Sequence, residues 1–489
     1  MEQFTVTFQP DQVVAAVCRG TSILSAQIAA GLHPEAPCGG KGTCGKCKVM
    51  LDGRGVLACQ TTIDRDMTVW LSDAKKSNIL TDGIARKIQP DGADDYCLAL
   101  DVGTTSLVAY LLDGRSGALL AQSSAVNPQN QYGADVISRI QYALEQDSLA
   151  LRDTICRALS ELILEVSSIA GIEPLQITTA AVVGNTAMHH LLLGIDPKPL
   201  VTPPYMPGVS EAMELPAEGI FPVGGTIRVL PNIAGFVGGD TVGCMTAVGF
   251  DRLDELTLII DVGTNGEMVL GDKNRRIACS TAAGPAFEGA KISCGMRGTE
   301  GAIDHVWLQN GEITYHVIGE GEAVGLCGSG LLDLIAVLLE TAAIDESGYL
   351  SGGVYQMEGT AVILTQKDVR EVQLAKAAIY AGIRLMVQHL GVEIEQIQKV
   401  LLAGAFGNYM DPASACRISM IPACLLDRIQ PIGNAAGEGA KLCALSREEF
   451  EYSKRLAEHT EFLELASCPE FQDCYVDALE FGEAASDDL

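Results

Sequence analysis

The chain has 489 residues, and its 62 Asp and Glu residues outnumber its 33 Lys and Arg residues, giving a formal net charge of −29. This charge disfavours nucleic acid and anionic membranes as partners, because both would repel it. Hydrophobic residues make up 48% of the chain and charged residues 19%, which excludes a disordered protein and predicts a globular one. We find no basic or apolar leader and no apolar run long enough to span a membrane, so we expect a soluble, cytoplasmic protein. In that reducing compartment the 16 cysteines are expected to be metal ligands and small buried side chains.

The first 78 residues predict a small α+β domain. A helix is predicted between Gly20 and Gly31, and strands are indicated by short alternating or apolar segments. These strand segments are residues 4–8, 13–17, 46–51 and 67–71. The polar residues 79–95 are interpreted as a linker, and a flexible linker of about this length would span about 25 Å.

An internal repeat follows the linker. The segment Leu98 to Thr105, LALDVGTT, is echoed by Leu258 to Asn265, LIIDVGTN, and each copy continues into a second apolar strand. A repeated strand–turn–strand unit indicates a duplicated fold with two similar lobes. We place the first lobe at residues 96–250 and the second at residues 251–489.

Four cysteines are concentrated in the first domain: Cys38, Cys44, Cys47 and Cys59. The first three form a C-x5-C-x2-C run interleaved with glycines, and such a loop can wrap closely around a cluster because side chains do not obstruct its backbone N–H groups. Four thiolates can hold two irons, which predicts a [2Fe–2S] cluster. Zinc is the alternative, although structural zinc sites commonly present two short cysteine pairs. Two other candidates for the fourth ligand lie on predicted strands, Cys18 and Cys97.

This segment resembles the [2Fe–2S] ferredoxins of β-grasp fold, whose first three ligands lie in such a loop. The resemblance implies a one-electron carrier. The spacing is one residue longer than the plant-type C-x4-C-x2-C, and the fourth cysteine follows sooner than in most such ferredoxins.

The repeated segments also predict a phosphate site. Each places an aspartate, Asp101 or Asp261, at the end of an apolar strand, followed by a turn whose N–H and hydroxyl groups can donate to phosphate oxygens. The two aspartates would hold Mg²⁺ and position the water that attacks ATP. The predicted phosphate donors are Gly103, Thr104, Thr105, Gly263, Thr264 and Asn265.

A third motif, KVLLAGAFG at residues 399–407, indicates a buried strand closed by a glycine turn on which adenosine could lie. Its predicted binding residues are Gly404, Ala405 and Gly407. Together the three motifs and the small-residue helices resemble the acetate and sugar kinase, Hsp70 and actin superfamily. The resemblance implies a duplicated α/β actin-like ATPase core of two RNase H-like lobes that binds ATP and Mg²⁺.

Within that superfamily, four longer segments resemble the ATP-dependent reductive activators of corrinoid proteins. They are VGNTAMHHLLLG at 183–194, PNIAGFVGGD at 231–240, CSTAAGPAFEG at 279–289 and LCGSGLLD at 326–333. From these segments we add Asp240, Gly328 and Ser329 to the predicted nucleotide site. The paired histidines His189 and His190 are expected to be structural.

The resemblance implies a function as well as a fold. Such an activator docks on the corrinoid protein of a methyltransferase system, passes one electron from its [2Fe–2S] cluster to inactive Co(II), and uses ATP hydrolysis to separate the complex. An upstream electron donor must refill the cluster, and a homodimer is compatible with the sequence. The alternatives are an ATP-driven electron injector for a radical dehydratase, a redox-regulated small-molecule kinase with Asp240 as its base, and an Hsp70-like chaperone.

Overall fold

The structure is a computed structural model that describes residues 2–10, 12–32, 34, 36, 40, 42, 46–71, 79–93, 95–263 and 265–482. Within these residues, no helix has both the length and the apolar character needed to cross a membrane.

The N-terminal residues form a five-stranded mixed sheet packed against one short helix. The elements are β1 (Gln3–Gln9), β2 (Val13–Cys18), α1 (Ile23–Ala29), β3 (Lys48–Leu51), β4 (Arg54–Leu57) and β5 (Met67–Trp70). The strand order is β2-β1-β5-β3-β4, with β1 and β5 parallel and the other neighbours antiparallel. Alternation along β1 buries Val6 and Phe8 in one core with Ile23 of α1. The predicted helix and the four predicted strands are therefore present, and β4 is an additional strand that the sequence pattern did not indicate.

A first six-stranded sheet follows. Its strands and the helices around it are β6 (Tyr96–Val102), β7 (Ser106–Asp113), β8 (Leu119–Val126), α2 (Val136–Tyr142), α3 (Ser148–Ala170), β9 (Ile177–Gly184), α4 (Thr186–Leu193), β10 (Met213–Pro216), β11 (Thr226–Val229) and α5 (Gly239–Val248). The strand order is β10-β11-β9-β6-β7-β8. Strand β6 is buried on both faces, because Leu98 and Leu100 enter a core with α3, whereas Cys97 and Ala99 enter a core with α5.

The remaining residues form a second six-stranded sheet, two small sheets and seven α-helices among the described residues. The strands are β12 (Thr257–Val262), β13 (Gly266–Gly271), β14 (Arg276–Thr281), β15 (Ala302–Gln309), β16 (Glu312–Val317), β17 (Gly325–Leu326), β18 (Val354–Gln356), β19 (Ile363–Thr365), β20 (Lys399–Ala403), β21 (Ile429–Gly433) and β22 (Glu461–Phe462). The helices are α6 (Gly328–Glu340), α7 (Gln366–Leu390), α8 (Gly404–Tyr409), α9 (Pro412–Arg417), α10 (Ala435–Leu445), α11 (Arg447–Glu458) and α12 (Phe471–Asp477). The second large sheet has the order β21-β20-β12-β13-β14-β22, and the small sheets are β16-β15-β17 and β18-β19.

The two large sheets share the order of five strands. The runs β8-β7-β6-β9-β11 and β14-β13-β12-β20-β21 each contain three antiparallel strands followed by two parallel ones. Asp101 is the penultimate residue of β6, and Asp261 is the penultimate residue of β12. The repeated sequence therefore occupies the same position in both sheets, and each carboxylate lies at the C-terminal end of its strand.

Two helices rich in small residues, α5 and α10, pack against each other in a core shared by the two sheets. A Cβ atom on Gly439 would lie 2.0 Å from the carbonyl oxygen of Gly243, and one on Gly243 would lie 2.9 Å from that of Ala436. Only glycine allows this close approach. The helices can therefore connect the two lobes across a very short distance.

Residues 79–93, which lie in the segment that the sequence indicated as a linker, contact β21 and α11. The N–H of Ile84 donates to the carbonyl oxygen of Ile432 at 2.9 Å, and Arg86 forms an ion pair with the buried Glu449. Polar side chains that indicated solvent exposure, such as that of Arg86, thus bind residues that are distant in sequence.

Candidate functional site

A cleft of about 530 Å³ lies at the C-terminal ends of β6 and β12. It is lined by most of the predicted nucleotide-binding residues: Asp101, Gly103, Thr104, Thr105, Asp240, Asp261, Gly263, Asn265, Gly328, Ser329, Gly404 and Ala405. Thr264 lies outside the described residues. The structure does not bring Gly407 to the cleft. Gly407 is buried in α8, where an added Cβ atom would lie 3.2 Å from the Cβ atom of Leu402, so its small size serves the packing of α8 on β20.

The turn after β6 is held in place by hydrogen bonds. The N–H of Gly103 donates to the carbonyl oxygen of Ser106 at 2.9 Å. Asn185 Nδ2 donates to the hydroxyl oxygen of Thr104 at 2.8 Å, and the guanidinium of Arg139 donates to the carbonyl oxygen of Thr104 at 2.6 Å. Burial lowers the pKa of Arg139 to about 9, so this side chain stays charged near neutral pH. The turn can thus bind phosphate without reorganising, with a positive charge behind it.

Six carboxylates line the cleft: Asp101, Asp240, Asp261, Glu267, Glu288 and Asp304. Burial raises the pKa of Asp101 to about 6, against the lowering effect of a hydrogen bond from Asn434 Nδ2 at 2.8 Å. Burial also raises the pKa of Asp240 to about 6. Burial and repulsion from Asp240 and Asp101 raise the pKa of Asp261 to about 7, and similar causes raise that of Glu267. A divalent cation would relieve this repulsion.

The cleft carboxylates fit a cation that takes most of its ligands from water and substrate. In the part of the chain that the structure describes, no three histidine, cysteine, aspartate or glutamate side chains form a group that could hold a metal ion. Mg²⁺ usually binds through one or two carboxylates and completes its octahedron with waters and substrate phosphates. The cleft carboxylates therefore fit Mg²⁺ that arrives with a polyphosphate.

Glu267 is a cleft residue that the sequence reasoning missed. It pairs directly with Asp261 across β12 and β13, whereas the partner of Asp101 across β6 and β7 is Val108. A lone acidic residue inside an otherwise apolar strand, next to a predicted Mg²⁺ site, is the signal that could have identified it.

Several helices begin at the cleft. Asn185 and Asn434 are the N-cap residues of α4 and α10, α6 begins at Gly328, and Asp240 lies in the first turn of α5. Helix N-termini carry a partial positive charge and N–H groups without helical partners. Their convergence on one cleft suits an anionic ligand with several phosphate groups.

Part of the cleft wall is aromatic. The rings of Phe287 and Phe406 stack with their centroids 4.6 Å apart, and both residues line the cleft, which suits a planar base. Sequence reasoning missed both, because nothing in their local pattern separates them from core residues. Gly404 has a φ of +78°, and a Cβ atom there would lie 2.4 Å from Asp261 Oδ1, so this position requires glycine.

The predicted cluster loop is described in part, since Cys38 and Cys44 lie outside the described residues. The Sγ atoms of Cys47 and Cys59 are 3.3 Å apart. Two thiolates on one tetrahedral metal, at bonds of about 2.3 Å, would be about 3.7 Å apart. Two described glycines of the loop have positive φ angles, as a closely wrapped loop requires. The described residues therefore fit a cysteine-bound cluster.

Other candidate residues lie away from these features. Cys97 is buried in β6, in the core that contains α5. His189 and His190 are also buried: His189 Nδ1 lies 2.8 Å from Asn232 Nδ2, and His190 Nδ1 lies 2.7 Å from the carbonyl oxygen of Thr186. Burial lowers the pKa of both histidines, that of His189 to about 4, so they are neutral structural groups near pH 7.

Known proteins share this fold and parts of this sequence. Residues 255–488 match the family described as the C-terminal domain of RACo, the ASKHA domain, and residues 96–253 match the RACo middle region. A solved structure titled as the reductive activator for corrinoid, iron–sulfur protein is 29% identical, with a TM-score of 0.73, and the match covers 98% of each chain. The fold and the cleft thus define an ATPase core of the ASKHA class.

Two curated proteins identify the family. The corrinoid activation enzyme RamQ of Eubacterium limosum is 39% identical over 420 residues, which cover 79% of this chain and 70% of RamQ. The [Co(II) methylated amine-specific corrinoid protein] reductase of Methanosarcina barkeri is 27% identical, over 79% of this chain and 77% of that protein. The chain belongs to the RACo-type family of corrinoid activation enzymes.

Proposed function

We propose that this protein is an ATP-dependent reductive activator that reduces the inactive Co(II) form of a corrinoid protein to Co(I). The observation that carries the proposal is the presence, in one member of the corrinoid activation family, of a carboxylate-lined phosphate cleft and an N-terminal domain with a close cysteine pair. The first feature suits ATP hydrolysis, and the second suits electron transfer.

We assign four regions to this function: a ferredoxin-like domain of β-grasp type at residues 1–78, a connection at 79–95, and two RNase H-like lobes at 96–250 and 251–489. The shared order of five strands in the two large sheets supports a duplicated core. The five-stranded sheet packed against α1 supports a ferredoxin-like first domain.

In the cleft, Asp101 and Asp261 would hold Mg²⁺, which neutralises phosphate charge when bound. The turns after β6 and β12 would donate to the phosphate oxygens, and the Phe287–Phe406 wall would face the base. The oxygen of a water molecule bonds to the terminal phosphorus while the bond to the bridging oxygen breaks. Asp101 and Asp261 would also position this water by accepting its hydrogen bonds.

In the N-terminal domain, the proposed ligands of a [2Fe–2S] cluster are Cys38, Cys44, Cys47 and Cys59. The cluster, when bound, supplies a centre that accepts and releases one electron. Lys46, next to Cys47, donates from Nζ to the carbonyl oxygen of Gly295 at 2.8 Å. Met296 follows Gly295 and lines the cleft, so Lys46 lies beside the cleft wall.

ATP is needed if Co(II) is harder to reduce than the oxidised form of the electron donor. One electron moved against about 100 mV costs about 2.3 kcal/mol. A difference of about fiftyfold in partner affinity between two nucleotide states would supply this free energy. An upstream reductant must provide the electron, and we expect the reaction to occur in the reducing cytoplasm. A homodimer is compatible with this function.

The proposal is tested by measuring ATP hydrolysis by the iron-loaded protein with and without a Co(II) corrinoid protein. Hydrolysis should rise at least fivefold with the Co(II) form, because the partner is what hydrolysis releases. The same corrinoid protein in its methylated Co(III) form is the matched control and should give no stimulation. Equal rates with both forms, together with a phosphorylated small molecule detected by mass spectrometry, would refute the proposal and favour a kinase.

A further inference from the structure

Residues 79–83 form a strap along the wall of the cleft. Ile79 and Leu80 are half-buried, and both line the cleft. The strap lies against the backbone before α10, since a Cβ atom on Gly83 would lie 2.7 Å from the carbonyl carbon of Asn434. A ligand in the cleft would therefore meet residues that precede the first lobe in sequence.

Hydrogen bonds at Thr81 and Asp82 hold this strap. The hydroxyl of Tyr110 donates to the carbonyl oxygen of Thr81 at 2.6 Å, and Gln122 Nε2 donates to the hydroxyl oxygen of Thr81 at 3.2 Å. The N–H of Asn434 donates to the carbonyl oxygen of Asp82 at 2.9 Å. Since Tyr110 is fully buried in β7, the strap is tied to the centre of the first sheet.

The side chain of Asn434 joins the strap to the cleft. Its Oδ1 accepts from the N–H of Gly437 at 2.8 Å as the cap of α10, which fixes the orientation of the amide. Its Nδ2 consequently faces three acceptors: Asp101 Oδ2 at 2.8 Å, the hydroxyl of Tyr110 at 3.2 Å and the carbonyl oxygen of Leu80 at 3.5 Å. An NH₂ group has only two hydrogens for these three acceptors. A change in the hydrogen bond to Asp101 therefore alters how many Nδ2 hydrogens are available to Tyr110 and Leu80.

We propose that Asn434 is a positioning residue that orients Asp101 and transmits occupation of the cleft to the strap, and through the strap to the N-terminal domain. This inference rests on the proposed role of the cleft as an ATP site. When Mg-ATP engages Asp101, the Nδ2 hydrogens of Asn434 shift toward Tyr110 and Leu80. The hydrogen bonds that hold the strap become stronger. Nucleotide binding then changes the exposure of Trp70, which ends the last described strand of the N-terminal domain.

Hydrogen exchange of the full-length protein tests the strap directly. With saturating Mg²⁺ and a non-hydrolysable ATP analogue, the amides of residues 79–86 should exchange at least threefold more slowly than without nucleotide. Calorimetry of the same sample measures nucleotide binding independently. Absence of binding would refute the ATP site and this inference together, whereas bound nucleotide with unchanged exchange would refute this inference alone.

Two variants separate the positioning role from a structural one. Asn434→Ser keeps an oxygen that can cap α10 and removes the Nδ2 donor. It should lower kcat for ATP hydrolysis at least tenfold while changing KM less than threefold. Tyr110→Phe removes only the hydroxyl that binds the strap, and Tyr315→Phe, which loses a hydroxyl bonded at 3.3 Å to the carbonyl oxygen of Glu358, is its control.

The two tryptophans of the chain provide the readout in the N-terminal domain. Trp70 is 55% exposed, and replacement of Trp307 by phenylalanine leaves it as the sole tryptophan. Binding of the ATP analogue should change acrylamide quenching of Trp70 at least twofold in this background and in Tyr315→Phe. The change should be lost in Tyr110→Phe and in Asn434→Ser. An equal change in all four proteins, or none in the parent at saturating nucleotide, would overturn the proposal.

Discussion

Replacement of Asp261 by asparagine should stabilise the nucleotide-free protein while it abolishes ATP hydrolysis. The pKa of Asp261 is raised from its usual 3.8 to about 7 by burial and by the charges of Asp240 and Asp101. Between about pH 4 and pH 7 the folded protein therefore holds a proton that the unfolded chain has lost. The stability of the parent accordingly falls as the pH rises through this window, and asparagine, which is neutral at every pH, removes that loss.

The size of the effect follows from the shift. About three pKa units correspond to about 4 kcal/mol, and solvent screening in the half-open cleft reduces this to about 1 to 2 kcal/mol. Calorimetry in EDTA should therefore show Asp261→Asn melting about 2 to 4 °C above the parent at pH 8, and the difference should at least halve at pH 5. ATP hydrolysis should fall at least 100-fold.

Asp113→Asn is the control, because this half-buried aspartate has a pKa lowered by hydrogen bonds from Ser116. It should give no gain in melting temperature at pH 8. A melting temperature of Asp261→Asn below that of the parent at pH 8, or a difference that does not change with pH, would refute the electrostatic reasoning.

Three further predictions concern single residues. Asp101→Asn should lower ATP hydrolysis at least 100-fold in a phosphate-release assay and leave the visible spectrum of the cluster unchanged; parental hydrolysis would contradict its role. Cys59→Ser should lose the two irons per chain measured by metal analysis, whereas Cys97→Ser should retain them, and the opposite result would reassign the fourth ligand. Gly404→Ala should raise KM for ATP at least tenfold, because its Cβ atom would meet Asp261. Gly391 also has a left-handed φ but has open space around it, so Gly391→Ala is the control. An equal rise in KM in this variant would mean that backbone strain, and not the contact with Asp261, causes the effect.

The site residues at the ends of strands could be predicted, because the sequence pattern that identifies them spans only a few neighbouring residues. An apolar strand ending in Asp-Val-Gly-Thr specifies a buried strand, an aspartate at its end and a tight turn within a few residues. The second copy of the pattern then indicates that Asp101 and Asp261 occupy equivalent places in two sheets. Neither inference needs knowledge of distant contacts.

The parts that were missed depend on distant contacts. Asn434 reaches Asp101 across 333 residues of sequence, and the strap binds Tyr110 within β7 and Asn434 after β21. Glu267 becomes a cleft residue only through its pairing with Asp261. Gly407 shows the opposite error, because a glycine that packs a helix closely has the same sequence signature as one that approaches a nucleotide.

The central claim is that ATP hydrolysis in the cleft drives one-electron reduction of a corrinoid cobalt. The most direct measurement is anaerobic visible spectroscopy of a Co(II) corrinoid protein mixed with a catalytic amount of the iron-loaded protein and a reductant, with and without Mg-ATP. Co(I) should accumulate only when ATP is present, and neither Asp101→Asn nor Cys59→Ser should support its accumulation. Formation of Co(I) at the same rate without ATP, or at the parental rate with either variant, would contradict the claim.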